Sequence, residues 1–227
     1  MTETSTPICI LFDLDGTLID TAPGLAATMN TLLARHGRPG LDPQQLRPFI
    51  SHGAKAIISH AMAATGTAAA PERIDAMFAE FLDHYRANMA AASQPYPGVA
   101  ACLEVLGQRG YRLGICTNRF EASARELIAA LGLSDHFGAI TGQDTFGIGK
   151  PDPKPVLNTL AELGGAPGRG VFVGDSEIDV AAARASGLPA IVTSFGYGAM
   201  PAAEMEADAV IGHFDELSHF VEALVNS

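Results

Sequence analysis

The feature that most constrains the fold is a series of short, continuously apolar segments set apart by stretches of helical spacing. Residues 8–14, 111–116, 170–173 and 190–194 have the β-branched, apolar character of strands buried on both faces, and residues 209–211 repeat it more weakly. Helical patterns occupy 121–131, 155–163 and 179–186. Such alternation predicts an α/β fold, a Rossmann-like parallel sheet with right-handed crossovers. One interval breaks the rhythm. About 96 residues separate position 14 from position 111, where a single crossover helix needs far fewer. That excess is itself helical, with Leu25, Met29, Leu32 and Leu33 spaced on one face, Asp42-Pro43 as a cap and first-turn proline, and helical patterns at 54–64 and 71–91. The expectation is a helical cap domain at 21–95, inserted after the first strand of a core domain made of 1–20 and 96–227. The run Gln94-Pro95-Tyr96-Pro97-Gly98 marks the return. An insertion at that point hangs over the carboxyl ends of the strands, where open α/β sheets bind ligands.

Composition narrows the partners. With 48% hydrophobic and 17% charged residues the chain is a folding sequence, and no apolar run reaches the length of a membrane span. Lys and Arg number 14 against 25 Asp and Glu, a net charge of −11, with no basic stripe to meet nucleic acid or an anionic membrane. Residues 1–7 lack the layout of an export signal. Cys9, Cys102 and Cys116 have no close-spaced partner, which suits small buried hydrophobes in a reducing compartment. These traits predict a cytoplasmic monomer or homodimer.

Two carboxylates stand inside the first apolar segment, in Ile10-Leu11-Phe12-Asp13-Leu14-Asp15-Gly16-Thr17-Leu18, where ionised acids are costly to desolvate. An Asp-Gly turn is one reading of them. The other is chemical. Residues two apart in a strand face the same way, so Asp13 and Asp15 are expected to share the carboxyl end of the strand. Polar clusters follow the other strands too: Thr117-Asn118, Lys150 in a loop further on, and Gly174-Asp175-Ser176. Phosphoryl transfer wants such a group, because it needs positioning and charge compensation above all. Asp13 suits a nucleophile that forms an aspartyl-phosphate, and Asp15 a general acid and base. Magnesium, with Asp13 and Asp175 as oxygen ligands, would offset repulsion between acids and phosphate. Lys150 and Thr117 would add a charge and a hydroxyl donor. Each cluster also has a plainer reading: Ser176 to Asp179 fits a capping box, Thr117-Asn118 a helix cap, Lys150 a solvated loop.

Taken together, "DLDGT" after an apolar strand, a strand ending in "TN", the "KPDP" loop and "GDSEID" resemble the four signature motifs of the haloacid dehalogenase superfamily of phosphatases. The resemblance implies Asp13 as nucleophile, Asp15 as acid and base, and Thr117, Asn118 and Lys150 as phosphate-binding residues. It implies Asp13, Asp175 and the main-chain carbonyl of Asp15 as Mg2+ ligands, with Asp179 supporting the metal site. A narrower likeness, carried by "DGTLIDTAPGL", "FVGDSEIDVAAARASG" and "SFGY", is to bacterial phosphoglycolate phosphatases, which implies 2-phosphoglycolate among small phosphorylated metabolites as substrate. A sugar-phosphate phosphatase or phosphosugar mutase would share every core motif; a phospho-aspartate signalling receiver would not need the insertion. Arg119, directly after "TN", suits a clamp on a substrate carboxylate. His52 and Lys55, in a Gly-containing stretch between cap helices, are either substrate contacts or solvated surface.

Overall fold

β1 (Cys9–Phe12) is buried along its whole length and lies inside a parallel sheet, as a continuously apolar strand must. The computed structural model describes residues 6–89 and 91–226. Among these, β4 (Arg112–Cys116), β5 (Ala139–Thr141), β6 (Gly170–Gly174), β7 (Ala190–Thr193) and β8 (Ala209–Ile211) complete a six-stranded sheet in the order β5-β4-β1-β6-β7-β8. All of its pairings are parallel. Alternate residues of β1 serve opposite faces. Ile10 and Phe12 join one apolar cluster with Leu103 and Leu106 of α5 (Val99–Gln108), Leu127 of α6 (Glu121–Ala130) and Val221 of α9 (Leu217–Val225). Cys9 and Leu11 join the other, with Val156 and Leu160 of α7 (Pro153–Glu162) and Val180 of α8 (Glu177–Ala185). Each such fully buried aliphatic side chain contributes about 1.5–3 kcal/mol.

Between β1 and β4 the chain leaves the sheet through β2 (Ile19–Asp20) and returns through β3 (Gln94–Pro95), which pair antiparallel, Ile19 with Pro95 and Asp20 with Gln94. The predicted return at 94–98 is therefore one half of a two-stranded ribbon. Beyond it lie α1 (Ala22–Arg35), α2 (Pro43–Leu46), α3 (Ala54–Ala64) and α4 (Pro71–Asn88), with α1 packed against α2, α3 and α4. Leu25, Met29, Leu32 and Leu33 form the buried stripe of α1, as their spacing predicts. Asp42 opens α2 with a capping box: its carboxylate accepts from Gln44 N at 2.9 Å and its own N–H donates to Gln45 at 3.2 Å. The apolar cluster on the Ile10 face continues through Leu14 and Leu18 into Met29, Ile57 and Phe81, so helices and sheet share a core.

Two corrections follow. β1 stops at Phe12, short of the predicted end at 14, so Asp13 and Asp15 do not share a face by strand alternation. They sit in a loop that Gly16 reverses at φ 85°, with the N–H groups of Leu18 and Ile19 returning to the Leu14 carbonyl. β5, α5 and α9 add elements beyond those the pattern predicts. The cysteines are free and buried, as expected, and no helix among the described residues is long and apolar enough to cross a membrane.

Candidate active site

Strand register brings the site together. Phe12 is level with Ile115 on one side and Val173 on the other, so the residues that follow all three strands emerge at one edge of the sheet. Backbone bonds from Asp13 N to the Val173 carbonyl (2.9 Å) and from Thr117 N to the Thr141 carbonyl (3.1 Å) hold the first turns beyond that edge. Lys150 arrives from the loop before α7, whose N-terminus is capped by Asp152 accepting from Lys154 N at 2.8 Å. Asn118 fixes this loop. Its Oδ1 accepts from Lys150 N at 2.8 Å, and its Nδ2 donates to the Lys150 and Ser51 carbonyls at 3.0 and 3.2 Å.

The charged heart of the site is Asp13, Lys150, Asp175 and Asp179, all buried. Lys150 Nζ stands 2.9 Å from Asp13 Oδ1 and 2.7 Å from Asp179 Oδ1. One oxygen each of Asp13, Asp175 and Asp179 lies within 4.8 Å of the others. Asp179 also accepts from Asp175 N, Ser176 N and Ser176 Oγ at 3.2, 3.1 and 2.7 Å through Oδ2, so the capping box of α8 and the place at the acidic cluster are realised by one side chain. Asp175 is steered by Thr17 Oγ1 (3.1 Å) and Tyr197 N (2.6 Å). Burial pushes the Asp13 carboxyl up to about 6, against the pull of Lys150 and with the help of Asp179 and Asp15. Burial, then Asp179 and Asp13, hold Asp175 well above the usual carboxylate range. Lys150 is held above its usual value despite burial, by Asp13 and Asp179. Three buried acids with one ammonium between them are the donor set a hard divalent cation takes, and Asp13 Oδ1 accepts no hydrogen bond among the described residues.

The Asp15 carboxylate stands outside this cluster, in a bidentate pair with Arg119: Nε to Oδ2 at 3.0 Å and Nη2 to Oδ1 at 2.5 Å, with Thr21 Oγ1 also donating to Oδ1 at 2.5 Å. Arg119 reaches on to Tyr85 of α4 (3.0 Å to the phenol oxygen) and to Ser123 (3.1 Å to Oγ), joining the sheet edge to the helical insert. Burial opposes its charge, but Asp15 and Tyr85 hold its pKa above the usual value. Thr117 Oγ1 accepts from Arg119 N at 3.1 Å, which leaves its own O–H to donate. A cavity of about 50 Å³ lies between Asp13, Asp15 and Arg119 on one side and Ile57, Phe81 and Tyr85 on the other. His52 and Lys55 line a neighbouring depression with Gly147 and Gly149, and Lys55 pairs with exposed Asp75 at 2.7 Å.

Sequence reasoning gave no role to Tyr197, although it ends the quoted "SFGY". Its phenol oxygen accepts from Thr21 N (2.7 Å) and Ala22 N (2.9 Å) and donates to Asp20 (2.5 Å). Thr21 supplies no side-chain cap, so Tyr197 caps α1 from across the molecule. Tyr85 and Thr21 carry no signal either, because a single aromatic or hydroxyl residue does not show in the sequence that its side chain meets Arg119 or Asp15.

Residues 10–193 match the family described as haloacid dehalogenase-like hydrolases, and the chain belongs to that family of enzymes. Among its relatives, a phosphoglycolate phosphatase of Mesorhizobium japonicum is 44% identical over 214 residues, 94% of each chain. One from Agrobacterium fabrum is 41% identical over 217 residues, 95% of this chain and 93% of that one. A solved structure from Haemophilus somnus, described as a predicted phosphoglycolate phosphatase, superposes with a TM-score of 0.89 at 26% identity, covering 96% of this chain and 99% of that one.

Proposed function

We propose that the chain is a Mg2+-dependent phosphomonoesterase that converts 2-phosphoglycolate to glycolate and inorganic phosphate through an aspartyl-phosphate on Asp13. The observation that carries this is the convergence of Asp13, Lys150, Asp175 and Asp179 in one buried cluster beside Thr117 and Arg119. The names of the relatives support the substrate.

In this reading an Asp13 oxygen attacks phosphorus, the bond to the ester oxygen breaks, and the departing alkoxide takes a proton from Asp15. Water then gives a proton to the Asp15 carboxylate as its oxygen attacks phosphorus. The bond to Asp13 breaks, and phosphate leaves with Asp13 restored. Lys150 and the Thr117 O–H hold the non-bridging oxygens. Asn118 acts by fixing the Lys150 backbone. Asp13, Asp175 and the Asp15 carbonyl would hold Mg2+, with Asp179 beside them, and the ion would supply the positive charge that lets a dianionic phosphate approach these acids. Residues 21–95 serve as a cap over the core of 1–20 and 96–227, excluding water from the cavity they enclose.

The test is phosphate release by the full chain from 2-phosphoglycolate, glucose 1-phosphate and glucose 6-phosphate, with Mg2+ or with a chelator. Release should need the metal, favour 2-phosphoglycolate, and fall by about 10³-fold or more in Asp13→Asn. Undiminished turnover in that variant would remove Asp13 from the mechanism.

A further inference from the structure

The loop of Phe195, Gly196 and Tyr197 touches both the acidic cluster and the ribbon through which the chain enters and leaves the helical insert. On the cluster side, Tyr197 N donates to Asp175 Oδ2 at 2.6 Å, and a Cβ on Gly196 would clash with the Asp175 side chain, so loop backbone and carboxylate are in direct contact. On the ribbon side, the Tyr197 hydroxyl donates to Asp20 of β2 at 2.5 Å and accepts from Thr21 N and Ala22 N at 2.7 and 2.9 Å. The return strand is held too: Tyr96, which follows β3, packs on Phe195 with ring centroids 4.5 Å apart. A second element of the insert reaches the same side chain, with the Arg47 guanidinium 4.8 Å from the centre of the Tyr197 ring. Thr21 extends the chain of contacts, since its hydroxyl donates to Asp15.

Tyr197 is 2% exposed and hydrogen-bonded at both ends, so it acts as a strut between two parts of the molecule. Asp175 cannot shift without moving the Tyr197 N–H, and the close-packed ring carries that displacement to residues 20–22, where the insert begins. We infer that Tyr197 is a positioning residue that couples cation binding at Asp175 to the placement of the helical insert. This inference rests on the metal role that the phosphatase reading gives Asp175 and goes beyond it, because the cation then steadies the hinge as well as offsetting charge. Linkage makes the coupling reciprocal: an insert held by Tyr197 tightens the cation site by the same factor as the cation tightens the hold on the insert.

The experiment measures Mg2+ binding to the full chain by titration calorimetry, and amide hydrogen exchange over residues 19–29 with and without Mg2+. Residues 217–225, in α9, serve as the reference for stabilisation of the whole fold. In the wild-type chain Mg2+ should slow exchange at 19–29 about 10-fold more than at 217–225. Tyr197→Phe keeps the N–H that meets Asp175 and removes only the hydroxyl; it should bring that excess to within about 2-fold of unity and weaken Mg2+ binding about 3- to 10-fold. Arg47→Ala alters a half-buried side chain away from the acidic cluster and should lower the excess about 2- to 5-fold. This second variant keeps the test sound where Tyr197→Phe folds poorly. A tyrosine with a purely structural part would lower the unfolding midpoint yet leave the Mg2+-dependent excess and the Mg2+ affinity where they are. That result, or no excess in a wild-type chain that binds Mg2+, overturns the inference while the phosphatase reading stands. A wild-type chain that binds no Mg2+ removes the metal role, and the inference falls with it.

Discussion

Lys150 Nζ lies 2.9 Å from Asp13 Oδ1 yet off hydrogen-bond alignment with it, while the same ammonium donates to Asp179 at 2.7 Å. One buried cation therefore compensates two buried acids. Removing the cation while keeping both acids is costly. Lys150→Met should destabilise the metal-free chain by about 3–5 kcal/mol, read from denaturant unfolding by circular dichroism. A loss under about 1 kcal/mol would mean that the acids are protonated in the fold and do not need the lysine.

Metal and pH should act on stability together. The Asp13 carboxyl sits at about 6 in the fold against an unfolded value of about 3.9, so the folded state binds its proton more tightly. The stability this contributes is complete below about pH 4 and is lost as pH rises through about 6; Asp175 acts in the same direction. From these groups, the metal-free protein should melt higher at about pH 5.5 than at about pH 7.5. A cation that binds the ionised carboxylates favours the opposite trend, so Mg2+ should raise the melting temperature more at the higher pH. Thermal scans with Mg2+ and with chelator at both pH values check this, and Asp13→Asn should flatten the difference.

Gly16 is confined by its neighbours as well as by its backbone. Its φ is 85°, and a Cβ there would clash with Asp175 Oδ2. Gly16→Ala should push Asp175 out of the acidic cluster and weaken Mg2+ affinity about 10- to 100-fold by titration calorimetry, with secondary structure retained. Unchanged affinity would show that Asp175 is not a ligand.

Among the described residues, the hydroxyl of Tyr197 accepts from the N–H groups of both Thr21 and Ala22 at the start of α1. Tyr197→Phe keeps the ring and orphans both donors. It should cost about 1–3 kcal/mol in denaturant unfolding. Because α1 begins where the chain leaves the sheet, kcat should fall as well, and a stability loss with unchanged kcat would confine Tyr197 to a structural part.

The strands of the sheet were legible because each central one is buried on both faces, which leaves a run of apolar residues that no surface element shows. Helix α3 falls at 54–64, where spacing places it, and Asp42 caps α2 as its composition predicts. β5 leaves no pattern in the sequence because three residues, Ala139–Thr141, are too few to show a period. Of the candidate site, Asp13 and Asp175 are legible because each directly follows an apolar strand, and Lys150 because it stands in the KPDP loop. Tyr85, Thr21 and Tyr197 are not. Tyr85 and Tyr197 have partners in distant segments, which leave no trace in local spacing, and Thr21 meets Asp15 only through the turn at Gly16, which spacing does not reveal. Strand alternation predicts that Asp13 and Asp15 share a face, whereas the turn at Gly16 is what arranges them.

The pairing of Ile19 with Pro95 and Asp20 with Gln94 has a kinetic side. β1 meets β4 only after the chain between them has been brought back on itself, and closing a loop of about a hundred residues costs about 2 kcal/mol more entropy than closing one of about a dozen. Helices that assemble first hold their two ends side by side at the ribbon, and the long closure becomes a short one. The inserted segment then hastens the meeting of the sheet strands on either side of it, and breaking the ribbon should slow refolding more than it lowers equilibrium stability.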